Sequence, residues 1–258
     1  MFCNRLFFLF FCLLVSKPGY TKSHSQELVV AVVYSESLPF YSYDQQTHSE
    51  QGLYTDILRY IGQSLDLEVR YLPTARNKID QDILEHKADA GFIARKWLAS
   101  PNSFVLSGTV FSYNHAFYGL EQPAPNTDVL SKVKGKSVCL RENYQYPELT
   151  QWLSAGMISP IYVSSHTRLF ELLQQSRCDL IYTNTYRATW TIDSRNDQKP
   201  VYYLGGLGEK DEIPLAFSPE WAQRMPEVNA AIAEMHRSGE MQRIINKNVG
   251  WMAINAPQ

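Results

Sequence analysis

Two stretches far apart in the chain repeat one arrangement, and that repetition narrows the possible folds more than any other feature. Ile83-Leu-Glu-His-Lys-Ala-Asp89 and Leu172-Leu-Gln-Gln-Ser-Arg-Cys-Asp179 each run from a helix end through a polar turn to an aspartate that opens an apolar strand. Before the first, Leu28–Val33 is an unbroken apolar run, the pattern of a strand covered on both faces. Leu53, Tyr54, Ile57, Leu58, Ile61 and Leu65 then recur at helical spacing, with Asp56 and Arg59 outside the stripe. Leu67–Leu72 alternates as a strand does, 76–86 reads as a helix with Ile79, Ile83 and Leu84 on one face, and Ala88–Ala94 is a third strand. The order is β-α-β-α-β, half of a doubly wound sheet.

The same order recurs. Ser137–Leu140 reads as a strand and Pro147–Ala155 as a helix opening on proline. Ile161–Val163 is a strand, Leu169, Phe170, Leu172 and Leu173 mark a helix, and Asp179–Thr183 is a strand. Two like units predict two doubly wound α/β lobes, not one continuous sheet. The joints are a proline-rich break at Glu121-Gln-Pro-Ala-Pro-Asn126, after a strand ending near Leu120, and Gly205-Gly-Leu-Gly-Glu-Lys210 before the strand Ile213–Phe217. Two helices follow, around Glu220–Ser238 and Met241–Asn248, with Gly239 placed for a helix C-cap. Two crossings between lobes make a two-strand hinge with a cleft.

The N-terminus adds an address. Leu6–Val15 is an apolar run of ten residues behind Arg5. That fits the apolar segment of a signal peptide and falls short of the roughly 30 Å needed to span a bilayer. Residues 1–25 are read as a signal peptide and the mature chain as periplasmic. Cys3 and Cys12 would leave with it. Cys139 and Cys178 would remain in an oxidising compartment, and they are expected to be two buried thiols, with a disulfide as the alternative.

Little points to chemistry. The net charge of −2 offers no field for nucleic acid. Six histidines are scattered without metal-ligand spacing. Neither mature cysteine sits in a nucleophile motif, and there is no G-x-S-x-G. Gly205–Lys210 lacks the spacing of a phosphate loop and precedes a strand instead of a helix. No cofactor, no metal and no catalytic residue is expected.

The chain resembles the bacterial family 3 solute-binding proteins, best known as polar amino-acid receptors of ABC importers. The marks are Leu38-Pro-Phe40 after the first strand, Gly52-Leu-Tyr-Thr-Asp56 opening the first helix, and the Ala-Asp turn at Asp89. Lys134-Gly-Lys-Ser-Val138 and the tail from Pro226 to Gly239, followed by Ile244–Gly250, complete them. The resemblance implies a periplasmic binding protein-like fold of type II, with a first lobe at 27–119 and 214–258 and a second at 120–213. It implies a monomer that closes its hinge over a small polar solute and meets an ABC permease. A membrane sensor is the alternative partner, and a dehydratase-like enzyme on the same scaffold is the remoter alternative.

The resemblance also places ligand contacts, and here the sequence departs from the family. Pro101 stands where such receptors hold the ligand carboxylate with an arginine, and Leu98 replaces a threonine. Asn184 stands where an acidic residue holds the ligand ammonium. Arg76 takes the aromatic stacking position. A plain α-amino acid therefore fits poorly. Strand C-terminal ends face the ligand crevice in open α/β sheets. The candidate ligand-binding set is accordingly Tyr34 and Ser37 after the first strand, Arg76, Ala94, Arg95 and Trp97 around the end of the third, and Arg141, Tyr144 and Asn184 in the second lobe. Arginines there would favour an anionic solute.

Overall fold

The computed structural model describes residues 26–33, 38–195 and 199–250. The expected signal peptide (1–25) and the candidate contacts Tyr34 and Ser37 lie outside the described residues.

In chain order, the elements of the first lobe are β1 (Gln26–Val33), a hairpin of β2 (Ser42–Asp44) and β3 (Ser49–Gln51), α1 (Leu53–Leu65), β4 (Leu67–Thr74), α2 (Ile79–Leu84), β5 (Ala90–Phe92) and β6 (Val105–Leu106). A hinge strand, β7 (Phe111–Tyr113), leads to β8 (His115–Gly119), α3 (Val129–Val133), β9 (Ser137–Arg141), α4 (Thr150–Ser154), β10 (Ser159–Val163), α5 (His166–Gln174), β11 (Leu180–Asn184), α6 (Thr185–Asp193) and β12 (Tyr202–Gly206). The return is β13 (Asp211–Ile213), β14 (Leu215–Phe217), α7 (Met225–Arg237) and α8 (Glu240–Val249).

Two five-stranded sheets result, in the orders β4-β1-β5-β14-β6 and β10-β9-β11-β8-β12. In each, the strands of the β-α-β-α-β unit pair in parallel and the remaining two strands pair antiparallel. The apolar run of β1 explains itself. Leu28, Val30 and Val32 point to one face, where α1, α7 and α8 supply Leu53, Ile57, Ile61, Ile232, Met235 and Ile244. Val29 and Ala31 point to the other, against Ile79 and Ile83 of α2. Period-two alternation with both faces covered makes every residue apolar.

The second sheet is covered likewise. Cys139 and Ile181 face Leu169, Phe170 and Leu173 of α5, while Val138, Leu140 and Tyr182 face Val133 and Leu149. β7 and β13 pair antiparallel between the sheets, forming the hinge. One stretch departs from the sequence-based expectation. The strand expected to end near Leu120, within a first-lobe segment running to 119, is β8, and it hydrogen-bonds between β11 and β12 of the second sheet, separated from β7 at Asn114.

The cysteines also depart from it. Cys139 and Cys178 form a disulfide with Cα atoms 5.9 Å apart, inside the roughly 4.4–6.8 Å such a bond requires. Cys139 sits mid-strand in β9, and Cys178 lies just before β11, its parallel neighbour. Both side chains lie in the cluster packed against α5, Cys178 reaching it from the turn ahead of its strand.

Candidate binding site

A cavity of about 640 Å³ opens where the C-terminal ends of β1 and β5 meet those of β9 and β11 across the hinge, within the usual volume range for small-molecule sites. Its first-lobe wall is built by local backbone chemistry. Pro39 and Phe40 give their carbonyls to the N–H groups of Leu53 and Tyr54, capping α1 at 2.9 and 2.8 Å. Gly52 makes this possible: it sits at φ 117, and a Cβ there would lie 2.6 Å from the Phe40 carbonyl oxygen. The capped turn aims the Phe40 and Tyr54 rings into the cavity.

Those rings extend into a network. Phe40 and Tyr54 have centroids 5.3 Å apart, Tyr54 stacks on Phe92 at 4.2 Å, and Phe40 lies 5.8 Å from Tyr113 and 6.4 Å from Tyr186. Desolvation raises the pKa of Tyr54, Tyr113 and Tyr186, so these phenols stay neutral.

The second-lobe wall is different. Asn184 ends β11 and caps α6, its Oδ1 accepting the backbone N–H of Arg187 at 2.8 Å. One turn into the helix, Arg187 is only 5% exposed. Its guanidinium lies 5.2 Å over the Phe40 ring and donates to the Leu38 carbonyl of the opposite lobe. Burial lowers its pKa from the usual arginine value. His166, at the start of α5, approaches the Tyr144 hydroxyl at 3.3 Å with the rings edge to face. Desolvation, followed by the positive charges of Arg187 and Arg141, holds its pKa well below the ordinary histidine value. At the hinge, His115 Nδ1 meets Asp211 Oδ2 at 2.7 Å, and Lys96 Nζ reaches the other Asp211 oxygen at 2.5 Å. Asp211 is buried, a cost outweighed by these two partners, and its pKa is lowered.

Of the candidate contacts, Arg76, Trp97, Tyr144 and Asn184 line the cavity. Arg76 reaches it from the short 3-10 turn before α2, with its guanidinium 5.8 Å from the Trp97 ring. Three others sit elsewhere. Arg95 is exposed and donates to Asn102 Oδ1 at 2.9 Å, because its 3-10 turn presents Trp97, not Arg95, to the cleft. Ala94 is buried in the first-lobe core. Arg141 donates to the Val163 carbonyl at 2.8 Å and lies 5.4 Å over the Tyr144 ring, behind the wall it supports. Sequence reasoning missed Arg187, His166 and His115. For Arg187 the signal existed: a cation one helical turn beyond the C-terminal end of a strand facing the crevice.

No family model and no curated protein matches the chain. Among solved structures, an ancestral arginine-binding protein bound to arginine superposes with a TM-score of 0.70 at 18% identity, over 88% of this chain and all (100%) of the other. The L-cystine solute receptor of Neisseria gonorrhoeae, unliganded and open, gives 0.67 at 12% identity over 88% and 94%. Substrate-binding domain 2 of Lactococcus lactis GlnP, also open, gives 0.67 at 13% over 88% and 96%. These likenesses establish the fold: two α/β lobes on a two-strand hinge, the type II periplasmic binding protein architecture.

Proposed function

We propose that the protein is an exported, monomeric solute-binding protein that closes its two lobes over a small anionic solute and hands it to an ABC importer without altering it. The observation that carries this reading is the pair of guanidinium groups, Arg187 from the second lobe and Arg76 from the first, on one interlobe cavity. Guanidinium binds carboxylate through paired hydrogen bonds. A solute touching both walls makes contacts that exist only when the lobes are together, and such differential contacts drive closure. The buried disulfide supports an oxidising compartment. Substrate-binding proteins of amino-acid ABC transporters share the fold, which supports the transport role.

The test is a thermal-shift screen of organic anions, zwitterions and cations, paired with small-angle scattering. A cognate solute at one hundred times its Kd stabilises the protein by about 2.7 kcal/mol and reduces the radius of gyration. If no solute does either, and none is carried through purification, the reading fails.

A further inference from the structure

We infer that Lys96, Asp211 and His115 form a latch across the hinge that holds the lobes together before any solute arrives and so sets how readily the cleft closes. This rests on the closing motion of the solute-binding reading above and adds a control exerted at the hinge. Asp211 opens β13, the hinge strand returning from the second lobe, and pairs with Tyr113 at the far end of β7. It therefore marks the second-lobe end of the hinge. His115, one residue past the break at Asn114, begins β8 of the second sheet and places Nδ1 2.7 Å from Asp211 Oδ2. Lys96 comes from the other lobe, in the turn Arg95–Trp97 after β5, and its Nζ lies 2.5 Å from Asp211 Oδ1. Each lobe thus supplies a donor to one oxygen of the same carboxylate.

The Asp211 side chain is 4% exposed, whereas that of Lys96 is 44% exposed. A carboxylate with so little access to water depends on its partners. Ionised, it only accepts, so the His115 Nδ1–H and the Lys96 ammonium both donate to it. The two partners differ in freedom. His115 is packed by the rings of Tyr113, Tyr182 and Trp97, with centroids 5.6, 5.8 and 5.9 Å away. It shares the second-lobe end of the hinge with Asp211. Lys96 is the member that leaves: rotating the first lobe away from that end draws its ammonium off the carboxylate. An ion pair whose carboxylate is shielded from water is screened less than one on open surface, and it favours the arrangement in which it is made. The latch also touches the cleft. Trp97, next to Lys96 in the same turn, and His115 both line the cavity, and Lys96 Nζ lies 5.4 Å from the Trp97 ring centroid. Apparent affinity scales with the fraction of molecules whose lobes are together, so the latch raises affinity for whatever solute the cleft takes without choosing it.

The experiment needs no solute. Nitroxide labels on Glu68→Cys in β4 and Tyr162→Cys in β10, exposed positions on edge strands of the two sheets, report the interlobe distance by double electron–electron resonance. The protein is first refolded from guanidinium with its disulfide intact, which removes any carried solute. The labelled parent shows a population at the distance of the lobes-together structure. Lys96→Met keeps the stem beside Trp97 and removes the charge, and it lowers the ratio of that population to the long-distance one by about threefold or more. Lys96→Glu sets two negative charges together and lowers it further. Asp211→Asn lowers it too, and adding Lys96→Met to Asp211→Asn changes nothing more, because the pair it would break is already gone. Lys96 is half-exposed, so its variants keep the parent's circular dichroism, and this graded pair decides alone if Asp211→Asn does not fold.

A distance distribution unchanged in Lys96→Met and Lys96→Glu overturns the latch. So does a parent with no lobes-together population, or additive effects of Lys96→Met and Asp211→Asn. Each of these leaves the solute-binding reading standing, because no solute enters the measurement. Conversely, a thermal-shift screen without a single hit, beside lobes that still part in Lys96→Met, overturns the solute-binding reading and leaves the latch.

Discussion

The two lobes are built on one plan but present opposite chemistry to the cleft. Asp89 and Asp179 hold equivalent places, each accepting a backbone N–H from the first strand of its β-α-β-α-β unit: Val29 at 2.7 Å and Ser137 at 2.8 Å. At the other ends of those strands the likeness stops. The first lobe shows mainly rings, Phe40, Tyr54, Phe92 and Trp97, with Arg76 beside the last, whereas the second shows Arg187, His166, Asn184 and Tyr144. The shared ends hold the fold and the divergent ends hold the site, as expected where strand C-termini carry function.

The largest expected difference between the lobes is in how they are held. Among the described residues the disulfide lies in the second lobe, whose core around Cys139 is the smaller. Cross-linking residues 39 apart removes denatured-state entropy worth about 3–4 kcal/mol in the chain-entropy model. Replacing both cysteines by serine should lower stability by that amount in urea unfolding. The loss should fall on the second lobe, splitting the transition in two. A single transition with an unchanged midpoint would show that the lobes do not differ in this way.

The equivalent aspartates offer a finer test. Asp89 is half-buried and also accepts the Trp221 indole N–H at 3.1 Å, so Asp89→Ala strands two donors and should cost about 2–3 kcal/mol. Asp179 is exposed and its partners are the backbone and hydroxyl of Ser137, so Asp179→Ala should cost about 1 kcal/mol or less. Equal losses in chemical denaturation would mean that the matching sequence turns carry matching energies after all.

That pair shows what the sequence makes legible. The turns, the paired β-α-β-α-β units and the buried run of β1 are readable because parallel strands covered on both faces leave an unmistakable apolar signature. The β2–β3 hairpin is not, because Ser42–Asp44 and Ser49–Gln51 are polar and short. Nor is the break at Asn114, where the short polar step Asn114–His115 is flanked by apolar residues on both sides. Within the site, Arg76 and Trp97 follow from position along the first lobe. Arg187 escaped because α6 carries a mixed surface, with Arg187 and Thr191 buried beside Ala188, so no apolar stripe announces the helix that delivers it. Arg95 was the converse error: proximity to a strand end does not say which side chain of a 3-10 turn faces inward.

The smallest effect separates the walls by pH. His166 belongs to the second wall and faces Arg187, Arg141, His115 and the Tyr144 hydroxyl. Its pKa in the folded protein is well below the unfolded value of 6.5. Above 6.5 the ring is neutral in both states and the difference contributes nothing. As pH falls below 6.5 the unfolded chain takes up a proton that the folded one refuses, so stability declines, by at most about 1.4 kcal/mol per pH unit for one proton. The ring wall has no counterpart: the tyrosines Tyr54 and Tyr113 are raised and stay neutral throughout this range. His166→Asn should therefore flatten the stability profile between neutral pH and the onset of carboxylate titration, whereas Tyr54→Phe should leave its slope unchanged. An anion bound at Arg187 would relieve part of the repulsion on His166, so the saturated protein should lose less stability over the same interval than the free one. A profile as steep in His166→Asn as in the unmodified chain would remove this histidine from the electrostatics of the second wall.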